Sequence, residues 1–172
     1  MHPGDIQEAL DSSVARRTFV GFFIFGLLMA FPGAILPAWG YHLKVNFIAA
    51  GLCFLALAGG LVVSARVALY LLPMRGIGQL LTSGCLLAFT AMLYLSEVSP
   101  PLPESYRITG FLFIGAAGGL INTAIFHALQ PLYRHSPAVA VNLAGSFFGL
   151  GCLVTALIIG GIYYVYDVSS ML

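Results

Sequence analysis

The chain has 172 residues, of which 60% are hydrophobic and only 8% are charged, and its formal net charge is +1. Ordinary soluble domains carry about 25% charged residues, so this composition excludes a soluble globular protein of the usual kind. A mean hydropathy of +0.99 indicates the lipid bilayer as the surroundings. The near-zero charge, without a basic stripe, excludes a nucleic-acid partner.

Five apolar runs account for most of the chain, and they cover residues 18–41, 46–72, 77–95, 108–132 and 138–166. A helix needs about 20 mostly apolar residues to cross the roughly 30 Å hydrocarbon core. Each run therefore predicts one membrane-spanning helix, numbered here as spans one to five. We expect an all-α, polytopic integral membrane bundle of five transmembrane helices, with a lead at residues 1–17 and a short tail at 167–172.

The basic residues predict the orientation of the bundle, because cytoplasmic connections carry an excess of Lys and Arg. An N-terminus in the cytoplasm places five basic residues inside, namely Arg16, Arg17, Arg66, Arg75 and Arg134. Only Lys44 and Arg107 then lie outside. The lead is polar and acidic before Arg16, unlike a secretory signal. We therefore expect a cytoplasmic N-terminus and a multi-pass protein of the cell (inner) membrane.

No catalytic or cofactor motif accompanies the apolar runs. There is no phosphate-binding glycine loop, no paired-histidine metal motif and no nucleophile with a recognisable base. The three cysteines, Cys53, Cys85 and Cys152, fall singly inside apolar runs and are interpreted as small buried hydrophobic residues. We therefore expect no enzyme activity, no metal and no cofactor.

Spans one and four share a local pattern. Gly21-Phe22 is followed by three apolar residues and Gly26, and the same pattern runs from Gly110 to Gly115, 89 residues further on. Spans two and five open with Val-Asn at residues 45–46 and 141–142, and both later carry a glycine pair, at 59–60 and 160–161. Because span one runs outward and span four inward, these matches predict an inverted repeat of three-helix units, as in many secondary transporters. Two such units make six spans, so a sixth is expected, either missing here or supplied by another chain.

The pattern of runs and glycines resembles the N-terminal half of a major facilitator superfamily transporter, nearest to the fucose-permease-like sugar and metabolite branch and truncated before its sixth span. The stretches that carry the resemblance are residues 26–37, 46–60, 75–77, 80–88, 115–122 and 142–151. The resemblance implies alternating access, in which two bundles rock about a central site. It also implies a second transporter half, or self-association, since one bundle cannot alternate by itself.

Two features depart from the family pattern. The loop between spans two and three often carries Gly-x-x-x-Asp-Arg-x-Gly-Arg, whereas this chain has Gly60, Ser64, Arg66 and Arg75 with no acidic residue. Span five has Val154-Thr155 where drug antiporters have a Gly-Pro kink. The second departure argues against an antiporter of that type.

Span four holds the richest set of polar residues within an apolar run, and such residues are functional candidates by default. They are Asn122, Thr123, His127 and Gln130, of which the last three share one helical face. In the resembled family, spans one and four line the central cavity, so this face is the candidate binding site for a small polar solute. The alternative is that His127 bonds the backbone of a neighbouring helix near the inner interface.

Span five carries a predicted helix-packing seam, made of Asn142, Gly145, Ser146 and Gly149. Gly145 and Gly149 have the four-residue spacing that lets another helix approach closely in a membrane. Two functions are thus open. The first is a secondary transporter, or half of one, for a sugar or metabolite. The second is a small non-transporting membrane protein that binds a partner through the seam, or an inactive transporter fragment.

Overall fold

The computed structural model describes residues 13–42, 47–98 and 103–170, with side chains from 15 to 35, 47 to 98, 103 to 130, 133 to 134 and 136 to 161. Four helices fill these ranges, and we label them α1 (Ser13–His42), α2 (Phe47–Glu97), α3 (Glu104–His135) and α4 (Pro137–Ser170). Residues 1–12 of the predicted lead, and residues 171 and 172 of the predicted tail, lie outside the described residues.

All four helices are long and apolar enough to cross a membrane, which confirms the prediction of an all-helical chain suited to the bilayer. Their surface carries many exposed large apolar side chains, among them Leu55, Val63, Leu86 and Leu157. Soluble monomers rarely expose apolar patches larger than a few hundred Å². Lipid is therefore the solvent that suits this surface.

Spans two and three are joined in one helix, α2, which breaks at a single residue. Gly76 has φ 76° and ψ 166°, a backbone conformation that glycine adopts without steric cost. We call residues 47–75 arm a and residues 77–97 arm b. The predicted short connection between the two runs is thus a one-residue break rather than a loop.

The two arms of α2 run in opposite directions along α3. In arm a, Leu57 contacts Gly115 and Ser64 contacts Gly119, so the numbers rise together. In arm b, Gly84 contacts Ile121 whereas Leu95 contacts Gly110, so the order is reversed. A straight helix of 51 residues would be about 76 Å long at 1.5 Å per residue and would not bring both arms to α3. The break therefore produces a helical hairpin.

The remaining directions follow from contacts of α1. Residues 21 and 29 of α1 contact residues 125 and 118 of α3, so these two helices are antiparallel. Phe19 of α1 stacks on Phe147 of α4, and the hydroxyl of Thr155 on α4 donates a hydrogen bond to the carbonyl oxygen of Leu27 on α1. The numbers rise together on both helices, so α1 and α4 are parallel. One end of the bundle therefore gathers the start of α1, the Gly76 break, the end of α3 and the start of α4.

The tightest contact of arm a is with the backbone of α3. A Cβ atom on Gly60 would collide with the carbonyl oxygen of Leu112 and would lie 2.9 Å from the nitrogen of Ala116. A Cβ atom on Gly115 would in turn collide with the carbonyl oxygen of Leu57. Glycine is required on both sides of this crossing because the two backbones touch.

The tightest contact of α4 is with the backbone of α1, and it has the same form. A Cβ atom on Gly151 would collide with the carbonyl oxygen of Phe23 and would lie 2.9 Å from the nitrogen of Leu27. A Cβ atom on Gly26 would collide with the carbonyl oxygen of Phe148. The α1–α4 crossing is therefore a second copy of the α3–arm a crossing.

The two crossings are related residue by residue. Each α3 residue lies 89 positions after its α1 counterpart, and each α4 residue lies 91 positions after its arm a counterpart. The matched pairs are Phe23 with Leu112, Gly26 with Gly115, Leu27 with Ala116, Leu57 with Phe148, and Gly60 with Gly151. Buried hydroxyls follow the same register, since Ser64 is 8% exposed and Thr155, 91 positions later, is 6% exposed.

The centre of this internal symmetry lies between α1 and α3. The methyl group of Met29 lies against Gly118, its own counterpart 89 positions later. Because α1 and α3 are antiparallel, the repeat relates two units that run in opposite directions. The first unit contains α1 and arm a, and the second contains α3 and α4. The predicted GF pattern of spans one and four is therefore in the correct register. The predicted match of residues 59–60 with 160–161 is wrong, since Gly60 corresponds to Gly151, and Gly160 and Gly161 have nothing within 4 Å.

Gly59 and Gly60 form a matched pair for testing the first crossing. We expect Gly60→Leu to lower the free energy of unfolding by about 1–3 kcal/mol, because its side chain meets backbone atoms that cannot move aside. Gly59→Leu is the control, since nothing lies within 4 Å of it and leucine favours a helix over glycine. The measurement is SDS titration of the protein in micelles, followed by circular dichroism. Gly151→Leu should behave like Gly60→Leu, and equal stability of all three variants would contradict the two crossings.

Candidate functional site

An open groove of about 570 Å³ lies between α1, α3 and α4. We call it the aromatic groove, and its lining residues are Phe22, Phe25, Phe126, His127, Leu129, Gln130, Tyr133, Val141, Ala144, Gly145 and Phe148. Its volume is within the range of about 300–1,000 Å³ that is usual for small-molecule sites. The groove lies near the bundle end where α3 ends and α4 begins.

Aromatic pairs form the walls of the aromatic groove. Phe22 meets Phe126 edge to face with ring centroids 5.2 Å apart, and Phe25 lies 5.5 Å from Phe148 at a tilted angle. Pairs of this kind contribute about 0.5–1.5 kcal/mol beyond the burial of their area. Phe22 is only 3% exposed, so the α1 wall is anchored in the core.

Three polar side chains enter the groove from α3. His127, Gln130 and Tyr133 recur every three residues, and all three line the cavity. His127 is half-buried, whereas Gln130 and Tyr133 are exposed. Imidazole, amide and phenol groups all both donate and accept hydrogen bonds. The groove thus combines an aromatic wall with a row of hydrogen-bonding groups.

The structure separates the four predicted binding residues into two pairs. His127 and Gln130 line the aromatic groove, whereas Asn122 and Thr123 do not. Thr123 is 7% exposed, and its hydroxyl donates a hydrogen bond to the carbonyl oxygen of Gly119 at 2.9 Å. Its polar group is therefore satisfied by its own helix. Asn122 is half-buried outside the groove.

Among the described residues, no helix packs closely against the predicted seam on α4. Nothing lies within 4 Å of a Cβ atom on Gly145 or Gly149, and Asn142 and Ser146 are exposed. Gly145 forms part of the wall of the aromatic groove. Close packing of a further helix on this seam stays a prediction.

The helix-packing face of α4 is a different one. Besides Gly151, it presents Cys152, whose Sγ donates to the carbonyl oxygen of Gly26 at 3.5 Å, and Thr155, whose Oγ1 donates to that of Leu27 at 3.2 Å. These two bonds cross between helices, which glycine at 151 makes possible. Sequence reasoning missed this face because Gly145 and Gly149 have the more familiar spacing.

Sequence reasoning also missed the aromatic wall. The available signal was the three-residue spacing of Phe19, Phe22 and Phe25, which places all three rings on one side of α1. The partners on α3 and α4 could not be found in the same way, since aromatic residues are frequent throughout both runs.

Among the described residues, the groove lining includes no charged side chain, and no three His, Cys, Asp or Glu residues come together as metal ligands.

Comparison with known proteins adds no relative to this description. No family model matches the chain, and no curated protein or solved structure does so either. The proposed function is therefore based on the fold and the aromatic groove.

Proposed function

We propose that the chain is one bundle of a secondary membrane transporter of the major facilitator type, for a small polar solute such as a sugar or metabolite. The observation that carries the proposal is the aromatic groove, because it lies between units related by the inverted repeat. Its α1 wall belongs to the first unit, and its α3 and α4 walls belong to the second. Secondary transporters commonly bind their substrates where such repeats meet.

The proposed topology has five membrane spans, with arm a and arm b as separate spans and the N-terminus in the cytoplasm. The helix directions support it, since the five arginines at 16, 17, 66, 75 and 134 all lie towards one end of the bundle. Arg107 lies near the start of α3 and hence towards the opposite end. An excess of basic residues is typical of the cytoplasmic side. The proposed location is the cell (inner) membrane.

The proposed mechanism is alternating access, for which this bundle requires a second one. The partner is either a second transporter half or another copy of the chain, and the solute would bind between the two. In this bundle, His127, Gln130 and Tyr133 would hydrogen-bond hydroxyl or carbonyl groups of the solute. The rings of Phe22, Phe25 and Phe148 would contact its apolar face, as in sites lined by aromatic residues with a few placed polar groups.

Water access tests this function, because a solute pathway must be wet and a lipid-facing groove is dry. In a background with Cys53, Cys85 and Cys152 changed to alanine, we expect Gly145→Cys and His127→Cys to react with a charged, membrane-impermeant methanethiosulfonate. Thiols react as thiolates, which require water, and both positions line the groove. We expect rates at least about tenfold above those of a lipid-facing thiol. The rates are measured in membrane vesicles by mass shift.

Leu86→Cys is the matched control for this labelling experiment. Leu86 is 63% exposed, and it lies about as far into arm b as Gly145 lies into α4, from the same end of the bundle. If Gly145→Cys reacts as slowly as Leu86→Cys, the groove is dry and the transport proposal fails. A monosaccharide such as galactose should slow the labelling of Gly145→Cys in the folded protein. It should leave the labelling rate of the denatured protein unchanged. This pair of results would support the sugar-binding form of the proposal.

A second candidate function is supported by the exposed seam. Gly145 and Gly149 have open space above them, and the hydrogen-bonding groups of Asn142 and Ser146 are exposed beside them. Small residues four apart, flanked by polar side chains, are typical of helix–helix interfaces in membranes. On this reading the chain is a non-transporting membrane protein that assembles with a partner through the seam.

The seam candidate predicts that Gly149→Leu abolishes assembly, because the larger side chain prevents close approach of a second helix. Assembly is measured by resonance energy transfer between labelled copies in liposomes. Gly33→Leu is the control, since Gly33 is also an exposed helical glycine with nothing within 4 Å. Undiminished energy transfer in Gly149→Leu would exclude the seam as the interface between copies, while His127→Ala should not affect it.

A further inference from the structure

A second groove lies between α1 and arm b, which run in the same direction because both are antiparallel to α3. Among the described residues, α1 and α2 do not pack closely against each other. The space between them contains two hollows, of about 450 Å³ and 410 Å³. Ile24 lines both hollows, and we call the two together the α1 groove.

The two hollows of the α1 groove lie end to end. Arm b lines the first hollow with two residues and the second with two more, all on one side of the helix by their spacing: Leu81, Cys85, Ala88 and Met92. On α1 the lining advances in the same direction, from Arg17 in the first hollow to Phe31 in the second. At 1.5 Å per residue this stretch of α1 is about 21 Å long. It is long enough to hold an acyl chain of one leaflet, since the whole hydrocarbon core is roughly 30 Å thick.

The walls of the α1 groove are apolar along this length. The one hydroxyl group in the described lining belongs to Thr155, and it is bonded to the carbonyl oxygen of Leu27. Val20 is 55% exposed and Ile24 is 39% exposed, so the groove is open to the surrounding lipid. Its middle part therefore suits a hydrocarbon chain and offers nothing to a polar solute.

The end of the α1 groove is different, because two arginines line it there. Arg16 and Arg17 are both exposed and line the first hollow at the start of α1. In the described part of the chain, the acidic residues all lie towards the opposite end of the bundle, namely Glu97, Glu104 and Asp167. The described residues near the two arginines thus include no carboxylate. Guanidinium groups bind phosphate oxygens strongly and often through two bonds at once.

We infer that the α1 groove binds one anionic phospholipid from the leaflet at this end of the bundle. Arg16 and Arg17 bind the phosphate of its head group, and one acyl chain lies between α1 and arm b, against Ile24 and Leu81. A zwitterionic head group suits the site less well, because its own cation is repelled by the two arginines. Basic pockets between membrane helices are known to bind anionic head groups in this way. The site is separate from the aromatic groove and does not depend on transport.

The preference for the head group can be measured by native mass spectrometry of the full chain. The protein is released from micelles that contain equal amounts of phosphatidylglycerol and phosphatidylcholine with the same acyl chains. We expect it to retain one phosphatidylglycerol with a preference of about tenfold, because two cations act on the head group. Arg16→Gln combined with Arg17→Gln should remove this preference. Orientation in a membrane plays no part in micelles, so a change of topology does not affect the result.

Arg75→Gln combined with Arg134→Gln is the matched control. It removes the same charge from the same end of the bundle, and neither residue lines the α1 groove. We expect this variant to keep the preference. Equal loss in both double variants would overturn the inference, since it would show a general response to net charge. An unchanged preference in the variant of residues 16 and 17 would overturn it too, and would assign these arginines to the acidic lead.

The acyl chain is tested by filling the groove while the arginines stay in place. Leu81→Trp and Val20→Trp each add bulk to the first hollow, and Val20 is exposed enough to accept the ring without disturbing the core. Leu86→Trp is the control, because Leu86 is 63% exposed on arm b and lies outside the groove. With circular dichroism and thermal transitions unchanged, we expect the first two variants to lose most of the retained phosphatidylglycerol and the control to keep it.

Full retention in both Leu81→Trp and Val20→Trp would overturn the inference in favour of a head-group contact alone. Equal retention of the two lipids by the unaltered protein would overturn it as well, since the arginines would then select no anion. Water labelling at Gly145 tests transport separately, so either proposal can fail alone.

Discussion

The bundle depends on backbone-to-backbone contact at two glycine crossings. In a membrane, lipid tails are as apolar as the side chains they would replace, so helices associate through close packing rather than through the hydrophobic effect. Gly60 and Gly115 let arm a approach α3 until carbonyl oxygens lie where a Cβ atom would be, and Gly26 and Gly151 do the same for α1 and α4.

The duplication of this crossing has a consequence for the aromatic groove. Because two equivalent pairs of helices are held in opposite directions, α1 and α3 meet at the centre, where Met29 touches Gly118. The aromatic groove opens on one side of this centre, between α1, α3 and α4. One packing solution therefore positions the candidate binding site.

The polar residues illustrate why depth in an apolar run is a poor guide to function. Thr123 and His127 lie one helical turn apart, and both were predicted to face a solute. Thr123 satisfies its hydroxyl on the carbonyl oxygen of Gly119, whereas the ring of His127 enters the aromatic groove. A similar distinction applies to the glycines of α4. Gly145 and Gly149 have the expected spacing, but the close crossing uses Gly151, because only that position lies opposite Gly26.

Sequence by itself determined that the chain is helical and suited to a bilayer, since length and hydropathy of each run decide these properties without reference to neighbours. It also revealed half of the repeat, because Gly21 and Gly26 recur locally at Gly110 and Gly115. The tertiary structure alone decided that Gly60 corresponds to Gly151, that spans two and three join through Gly76, and that the phenylalanines of α1 form a groove wall. The physical reason is that glycines and aromatic rings are common in every apolar run. Only the contact across a helix pair distinguishes the residues that touch from those that face lipid.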